Sequence, residues 1–275
     1  MSKPYVLGHT TRELDRLDLQ GIIYKPLTRR ALLDGGLQAG MRVLDVGCGS
    51  GDVSRLAGEI VGEAGSVLGV DLDEGSVQSA RERTSLPQVS FQVSEASAVA
   101  EEGAFDALIG RFILMHQPDP AAFLAQAAQA VRPGGRVIFV ESHMAAILDG
   151  EHSFPYSALY DKVIRWKCDV VAAAGADIRA GLALHSIFQA ADLPAPQTHM
   201  ETAVSGGANS VLYRYMADSI RSMLPMAAKY GITGFDEATV KSLEGQLRDE
   251  LVASGGVFVC WPAVAAWCQL PEDGQ

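Results

Sequence analysis

Strand-like and helix-like segments alternate along residues 42–142, and this alternation constrains the fold more than any other feature of the chain. Short apolar runs such as "RVLDV", "SVLGVD", "VSFQVS", "FDALIGRFIL" and "RVIFVES" are separated by helix-compatible stretches and short connections. That pattern predicts a doubly wound α/β domain with a mostly parallel sheet. Ligands of such sheets bind beyond the carboxyl ends of the strands, so the residues that end each strand are the first candidates for a site.

The segments that flank this alternation indicate additional helices. Helical spacing predicts two N-terminal pieces that stop near Gly35 and Gly36, and further helices follow Ser142. A strand is expected within "PQTHMETAVS", and "VFVCWPAVAAWCQL" is expected to be one last strand. The predicted parts are an N-terminal helical lid (1–37), an α/β domain (38–143, 177–204 and 256–270) and helical cap insertions (144–176 and 205–255).

The charge of the chain narrows the class of its partners. Among 275 residues, 22 are Lys or Arg and 33 are Asp or Glu, which gives a formal net charge of −11. Nucleic-acid backbones and anionic membranes attract basic surfaces, so neither is expected as a partner. The longest apolar stretch is too short to span a bilayer and contains Pro262. A small-molecule partner is what this composition leaves, and a homodimer is a further expectation.

The four cysteines predict neither a disulfide framework nor a metal centre. Cys48, Cys168, Cys260 and Cys268 form no CxxC pair and show no metal-ligand spacing. We expect them to be reduced and mostly buried thiols. The first twenty residues contain no apolar segment of the kind found in signal peptides, so a cytoplasmic location is expected.

The stretch "VLDVGCGSGDVS", from Val43 to Ser54, places three glycines between a strand and a helix. A dinucleotide-binding loop would need its third glycine where Asp52 stands, and a carboxylate there repels a pyrophosphate. A nucleotide P-loop would need a GK[ST] sequence, which does not follow. S-adenosylmethionine carries a sulfonium, an amino group and a ribose but no phosphate. The carboxylates of Asp45 and Asp52 beside the loop therefore favour this cofactor.

Acidic residues also follow the next two strands. Asp71 ends "SVLGVD", where a carboxylate can accept hydrogen bonds from both ribose hydroxyls, although nicotinamide-dinucleotide sites share that feature. Leu72 would then pack on the adenine. Glu95, with the Ala96 backbone, could accept from the adenine amine, and a solvent-facing surface residue is its alternative.

Four motifs in order, "VLDVGCGSGD", "GVDLD", "FDALIGRFILMH" and "VRPGGRVIFVES", resemble the class I S-adenosylmethionine-dependent methyltransferases. The resemblance extends to bacterial, including actinobacterial, enzymes of natural-product biosynthesis. It implies a seven-stranded Rossmann-like sheet whose last strand is antiparallel. Glu95 departs from the aspartate that family members often carry there. The residues that the resemblance and the pattern place around the cofactor are Arg16, Gln20, Tyr24, Asp45, Gly47, Cys48, Gly49, Asp71, Leu72, Glu95, Ala96 and Arg111.

Within this resemblance, the N-terminal helix lids the cofactor, and Arg16 could pair with the methionine carboxylate. A surface amphipathic helix is the alternative. Candidate catalytic residues are His143, His116 and Tyr24, because the two histidines follow strands at the carboxyl side of the sheet. Hydrogen-bonded structural histidines are the alternative. The residues expected to contact the acceptor are His116, His143, Tyr156, Tyr160, Trp166 and Tyr213, which core packing could equally explain.

The function expected from these patterns is methyl transfer from S-adenosylmethionine to a small acceptor, with S-adenosylhomocysteine as the product. An aromatic or heteroaromatic natural product is expected as the acceptor, such as an indole-bearing or peptide-derived scaffold methylated on carbon, nitrogen or oxygen. Two alternatives stay open: a non-catalytic S-adenosylmethionine-binding regulatory or scaffold subunit, and an NAD(P)-dependent oxidoreductase.

Overall fold

The computed structural model describes residues 11–99, 104–148 and 151–272. The first ten residues of the predicted lid therefore lie outside the described part of the chain. The strands are β1 (Arg42–Val46), β2 (Ser66–Asp71), β3 (Val89–Val93), β4 (Phe105–Arg111), β5 (Val131–Ser142), β6 (Ser153–Phe154), β7 (Gln197–Glu201), β8 (Val204–Gly206), β9 (Val257–Val259) and β10 (Ala263–Gln269). The helices are α1 (Thr11–Asp34), α2 (Asp52–Val61), α3 (Glu74–Glu82), α4 (Ala96–Val99), α5 (Pro120–Ala128), α6 (Ala158–Ala173), α7 (Ala180–Ala190), α8 (Leu212–Lys229) and α9 (Glu237–Ser254).

Seven strands form one sheet in the order β3-β2-β1-β4-β5-β10-β7. The pairs from β3 to β5 are parallel, and β10 runs antiparallel to both β5 and β7. This arrangement confirms the predicted doubly wound α/β fold and its inserted antiparallel strand. The order reverses beside β1, whose neighbours are β2 and β4, and ligands of open α/β sheets bind at such a switch point.

Helices cover both faces of this sheet, and alternation along each strand supplies the two cores. On β1, Val43 joins the core that contains Leu56 of α2 and Val77 of α3. Leu44 joins the opposite core, which includes Leu124 of α5 and side chains of α7. Because both faces are buried, the strands read as nearly continuous apolar runs, which is why the sequence indicates them clearly.

The chain divides into two compact units. The sheet unit comprises Lys25–Ser142, Ala180–Glu201 and the stretch from Ala263 onward. The helical unit comprises the stretch up to Tyr24, His143–Arg179 and Thr202–Pro262. Residues 25–37 thus belong to the sheet unit and residues 256–262 to the helical unit, while the lid and cap roles of the flanking segments stay predictions.

The N-terminal region differs from the expectation of two helical pieces. A single 24-residue helix, α1, runs through Pro26 and ends at Asp34. Proline removes one backbone hydrogen bond from a helix interior, which explains the break suggested by the sequence. Leu27, Ala31 and Leu32 are buried after the proline, so tertiary packing holds the helix together there.

The expected last strand is in fact two strands that belong to different sheets. β9 pairs with β6 and β8 in a three-stranded sheet of the helical unit, whereas β10 joins the seven-stranded sheet. Pro262 lies between them, and proline cannot donate to a ladder. The expected strand in "PQTHMETAVS" is divided in the same way, between β7 and β8.

The helical unit contains α6, α8, α9 and this small sheet. Side-chain caps begin α6 and α9: Ser157 accepts from the Tyr160 N–H, and Asp236 forms a reciprocal capping box with Thr239 before α9. Gly255 ends α9 in the left-handed conformation. Among the described residues, no helix is both long and apolar enough to cross a membrane.

Candidate functional site

The glycine loop between β1 and α2 lies at the switch point of the sheet. Gly47, Gly49 and Gly51 all have positive φ angles, of 67°, 51° and 80°. A Cβ on Gly47 would lie 2.7 Å from the Cδ1 atom of Ile113, so this position requires glycine for space as well as conformation. No atom of the described residues lies within 4 Å of the corresponding position at Gly49, so this part of the structure leaves open space beside the middle of the loop.

Asp71 lies against this loop, as its position at the end of β2 predicts. Its Oδ2 accepts from the Gly49 N–H at 2.9 Å, and its Oδ1 accepts from the Asp73 N–H at 3.0 Å. A carboxylate offers about four lone-pair directions, so each oxygen keeps capacity for one more donor. This geometry suits a carboxylate that holds two neighbouring hydroxyl groups.

Asp45 lies below the loop, fully buried on β1. Burial raises the pKa of this carboxyl group from 3.8 to about 7, and the charges of Asp52 and Asp71 add to the effect. The Ser54 hydroxyl on α2 opposes it by donating a 2.5 Å hydrogen bond to the Asp45 Oδ2. Asp45 is therefore a proton-binding group whose ionisation responds to charge placed near the loop.

Asp52 starts α2 and forms an ion pair that the sequence does not predict. The Arg111 guanidinium, at the end of β4, donates to its Oδ2 at 2.5 Å and to the Thr28 hydroxyl of α1 at 3.2 Å. The Arg111 side chain is almost entirely buried. These contacts use part of the hydrogen-bonding capacity of the guanidinium group. Cofactor binding by Arg111 stays a prediction.

The remaining predicted cofactor residues of the sheet unit surround the same edge. Cys48 is buried within the loop, and burial raises the pKa of its thiol, so it remains protonated. Leu72, after β2, exposes 55% of its surface, which is unusual for a leucine and leaves it available to a ligand. Glu95 is exposed after β3, and Ala96 begins α4 beside it.

Glu141, near the end of β5, lies beside the candidate site, and the sequence analysis did not single it out. Its fully buried carboxylate accepts from the backbone N–H groups of Ile113 and Leu114, both at 2.8 Å, and from Met115 at 3.4 Å. The three amides belong to the turn that follows β4. The signal available in the sequence was an acidic residue near the end of an apolar strand. Its hydrogen-bond partners follow only from the pairing of β4 with β5.

His143 follows β5 directly, in the helical unit. The side chain is 8% exposed, and its Nδ1 has no hydrogen-bond partner among the described residues. Burial lowers the pKa of the imidazole, the Arg179 charge adds to this, and Asp177 opposes it. The ring is therefore neutral at physiological pH, with a buried nitrogen.

Two other histidines, His116 and His152, differ from His143. His116 is half-buried and ends a short 3₁₀ turn, Leu114–His116, after β4. The His152 Nδ1 is within hydrogen-bond distance of the Ile147 carbonyl, at 3.0 Å, and its Nε2 lies 3.2 Å from an Asp161 carboxylate oxygen. His152 therefore has the environment of a structural histidine, and His116 stays a prediction.

Most of the aromatic side chains predicted to contact the acceptor form the core of the helical unit. Tyr160 stacks on Phe258 with ring centroids 3.9 Å apart, and its hydroxyl donates to the Val259 carbonyl. Tyr213 packs edge-on against Phe258 and donates to the Gly207 carbonyl. Packing explains these two positions.

Two further predicted acceptor residues have different surroundings. Trp166 is buried edge-on against Phe235, and its Nε1 has no hydrogen-bond partner among the described residues. Tyr156 is 70% exposed. The sequence did not single out Lys167, whose buried Nζ lies 4.8 Å from the Tyr215 ring centroid and 4.4 Å from that of Trp261. Acceptor binding by Tyr156, Tyr160, Trp166 and Tyr213 stays a prediction.

The predicted lid residues lie on the first part of α1, in the helical unit. Arg16 is buried and donates to the Gln20 side chain at 2.6 Å. The Tyr24 hydroxyl donates to the Trp261 carbonyl at 3.2 Å and lies 3.3 Å from the Cys260 sulfur. Burial raises the pKa of Tyr24, which disfavours a phenolate. The roles of Arg16, Gln20 and Tyr24 in cofactor binding or catalysis stay predictions.

A family model described as a methyltransferase domain matches residues 37–191, more than half of the chain. The chain is 31% identical over 143 residues to a demethylmenaquinone methyltransferase of Staphylococcus aureus, covering 50% of this chain and 58% of that protein. It is 38% identical over 125 residues to a ubiquinone biosynthesis O-methyltransferase of Aromatoleum aromaticum, covering 42% and 52%. The chain spans about half the length of these curated relatives.

Solved structures show the same fold at low sequence identity. A putative methyltransferase from Bacillus halodurans superposes with a TM-score of 0.57 at 16% identity, covering 89% of this chain and 99% of that one. Phosphoethanolamine N-methyltransferase 2 of Haemonchus contortus, solved with S-adenosylhomocysteine, superposes with a TM-score of 0.52 at 18% identity, covering 90% of this chain and 53% of that one. The chain belongs to the methyltransferase domain family, with the class I fold, and S-adenosylmethionine is its cofactor.

Proposed function

We propose that this protein transfers a methyl group from S-adenosylmethionine to a small aromatic or heteroaromatic acceptor. The observation that carries the proposal is the carboxyl edge of β1 and β2, where the Asp71 carboxylate holds the glycine loop beside open space at Gly49. Family membership supports the transferase chemistry. The aromatic acceptor class is supported by relatives named for demethylmenaquinone and ubiquinone biosynthesis.

The residues around the loop fit this cofactor better than a phosphate-bearing one. Asp45, Asp52 and Asp71 surround the loop with carboxylates, and Arg111 is paired with one of them. Bound S-adenosylmethionine supplies an electrophilic methyl group on a sulfonium. The protein's part is to bind the ribose through Asp71, balance the positive charge with carboxylates, and align the acceptor in a site that excludes water.

Gly49→Ala tests whether the open space at the loop belongs to the cofactor. The added methyl group meets no atom of the described part of the chain, so left-handed strain of about 1 kcal/mol is the expected cost in stability. If the cofactor occupies that space, S-adenosylhomocysteine affinity falls about tenfold or more by isothermal titration calorimetry. Gly40→Ala is the matched control, because Gly40 has a φ of 84° and equally open surroundings before β1. Equal affinity in both variants contradicts the assignment.

His143 is the proposed general base for a methyl acceptor that must lose a proton. Its buried Nδ1 has no partner among the described residues, and its lowered pKa keeps the imidazole neutral, so one ring nitrogen can accept a proton. General-base catalysis of this kind contributes about 10²–10⁴-fold to a rate.

His143→Gln is expected to lower kcat by about 10²–10⁴-fold, while the affinity for S-adenosylhomocysteine stays unchanged. In the native protein the rate should fall as pH drops through a pKa below 6.5, because protonation removes the base. This limb should vanish from the pH–rate profile of the variant. His185→Gln on the exposed surface of α7 is the control. A native-like rate and profile for His143→Gln excludes it as the base.

The proposed function is tested by incubating the protein with labelled S-adenosylmethionine and separate phenol, quinol, indole and amine acceptors. Methylated product and S-adenosylhomocysteine should appear together by mass spectrometry, with one acceptor class preferred. The same panel run with Asp71→Ala controls for contaminating activity. Cofactor binding without turnover of any acceptor favours a non-catalytic binding subunit. Stabilisation by NADH but not by S-adenosylhomocysteine contradicts the cofactor assignment.

A further inference from the structure

The chain leaving β4 adopts a strained turn, which we call the exit segment (Arg111–His116). Phe112 has a φ of 56°, a left-handed value that bulky side chains rarely adopt. Its N–H still donates to the Val140 carbonyl at 2.9 Å, so the turn begins at the last rung of the sheet. Strain of this kind persists only where the surroundings over-determine the backbone, and it concentrates at functional sites.

The carboxylate of Glu141 supplies that over-determination. One of its oxygens accepts from two successive amides of the exit segment, at Ile113 and Leu114, both at 2.8 Å. Its other oxygen accepts from Met115 at 3.4 Å. The carboxylate is fully buried, so water does not compete for these charge-assisted bonds. The shape of the exit segment therefore depends on one side chain from the neighbouring strand.

The exit segment also contacts the glycine loop and the start of α2. The side chain of Ile113 occupies the space that a Cβ on Gly47 would take, and Arg111 binds Asp52. The segment thus continues the edge at which the cofactor is proposed to bind. A small change in its position would move the groups that face the reacting atoms.

We propose that Glu141 is a positioning residue for methyl transfer, which holds the exit segment in the shape that aligns the acceptor with the cofactor. This inference rests on the proposed function. Glu141 acts through the backbone of the segment and touches neither reactant. Misplacement by about 1 Å can cost a factor of about 100 in rate, so its removal should affect kcat more than binding.

Three substitutions separate the length of the side chain from its charge. Glu141→Gln keeps an oxygen where Ile113 and Leu114 donate, so kcat should stay within about tenfold of native. Glu141→Ala removes the acceptor, and kcat should fall about 100-fold or more. Glu141→Asp keeps the charge but withdraws the carboxylate by one methylene. Its kcat should fall below that of Glu141→Gln, which tests the proposal if Glu141→Ala does not fold.

Leu184→Ala is the control for general destabilisation, because Leu184 is a buried core residue of α7 outside the exit segment. KM for S-adenosylmethionine should stay within about threefold in every Glu141 variant, and amide exchange at Ile113 and Leu114 should accelerate in Glu141→Ala and Glu141→Asp. Equal kcat in Glu141→Ala and Leu184→Ala, or a higher kcat in Glu141→Asp than in Glu141→Gln, overturns the proposal. A native protein that turns over no acceptor instead overturns the proposed function itself.

Discussion

Asp71→Ala is expected to weaken S-adenosylhomocysteine binding by about 30-fold to about 1,000-fold. Two charge-assisted hydrogen bonds to ribose hydroxyls contribute on the order of 2–4 kcal/mol together, and each 1.4 kcal/mol is a tenfold change in affinity. The substitution also deprives the Gly49 N–H of its acceptor, which loosens the loop. Isothermal titration calorimetry at a single pH and salt concentration measures the effect.

The matched control is Asp73→Ala, two residues further along the same turn. Asp73 caps α3 by accepting from the Ser76 N–H at 2.6 Å, so its loss costs about 1 kcal/mol of stability. It removes one negative charge from the same region, and affinity should stay within about threefold. The affinity of Asp71→Asn for S-adenosylhomocysteine should lie between those of the native protein and Asp71→Ala, because an amide oxygen still accepts one set of donors. Native affinity in Asp71→Ala removes this residue from the site.

Asp45→Asn is expected to remove the part of the pH dependence of stability that Asp45 contributes. The folded pKa of Asp45 is about 7 against an ordinary value of 3.8, so the folded state holds this proton more tightly than the unfolded state. The resulting stabilisation is fully present below pH 3.8 and is lost as pH rises towards 7. A shift of about three pKa units corresponds to about 4 kcal/mol. Asparagine stays neutral and can still accept from Ser54.

The measurement is urea unfolding of both ligand-free proteins between about pH 4 and 8. The free energy of unfolding of Asp45→Asn minus that of the native protein should rise up to pH 7 and then level off. Asp106→Asn is the control. Although burial opposes it, the Arg42 N–H and the Arg132 side chain lower the Asp106 pKa from 3.8, so its stabilisation is lost only below about pH 4 and the difference for this variant should be flat across the range. A flat difference for Asp45→Asn across this range contradicts a raised pKa.

The α/β fold was predictable because its signals are local. Strands buried on both faces produce apolar runs, and α2, between β1 and β2, ends at Gly62. Two of the differences in element boundaries lie at prolines. Packing keeps α1 continuous through Pro26, and Pro262 lies between two strands that were expected to be one.

The meeting of the glycine loop with Asp71 was predictable because both follow strand ends. The loop glycines have positive φ angles, and Asp71 accepts a hydrogen bond from the loop. Cofactor binding by the individual residues stays a prediction. The aromatic residues of the helical unit were less predictable, since a tyrosine in a core and a tyrosine at a ligand carry the same helical spacing. The Tyr160 hydroxyl, for example, donates to a backbone carbonyl.

By itself, the sequence determined the order of strands and helices, the glycine loop and the carboxylates that favour S-adenosylmethionine, because each depends on neighbours a few residues apart. Only the tertiary structure decided that Arg111 pairs with Asp52, and that Glu141 holds the turn after β4. Those partners are 59 and 28 residues apart in the chain. Parallel strands bring such distant residues to one edge of a sheet, and no local pattern encodes which side chains then meet.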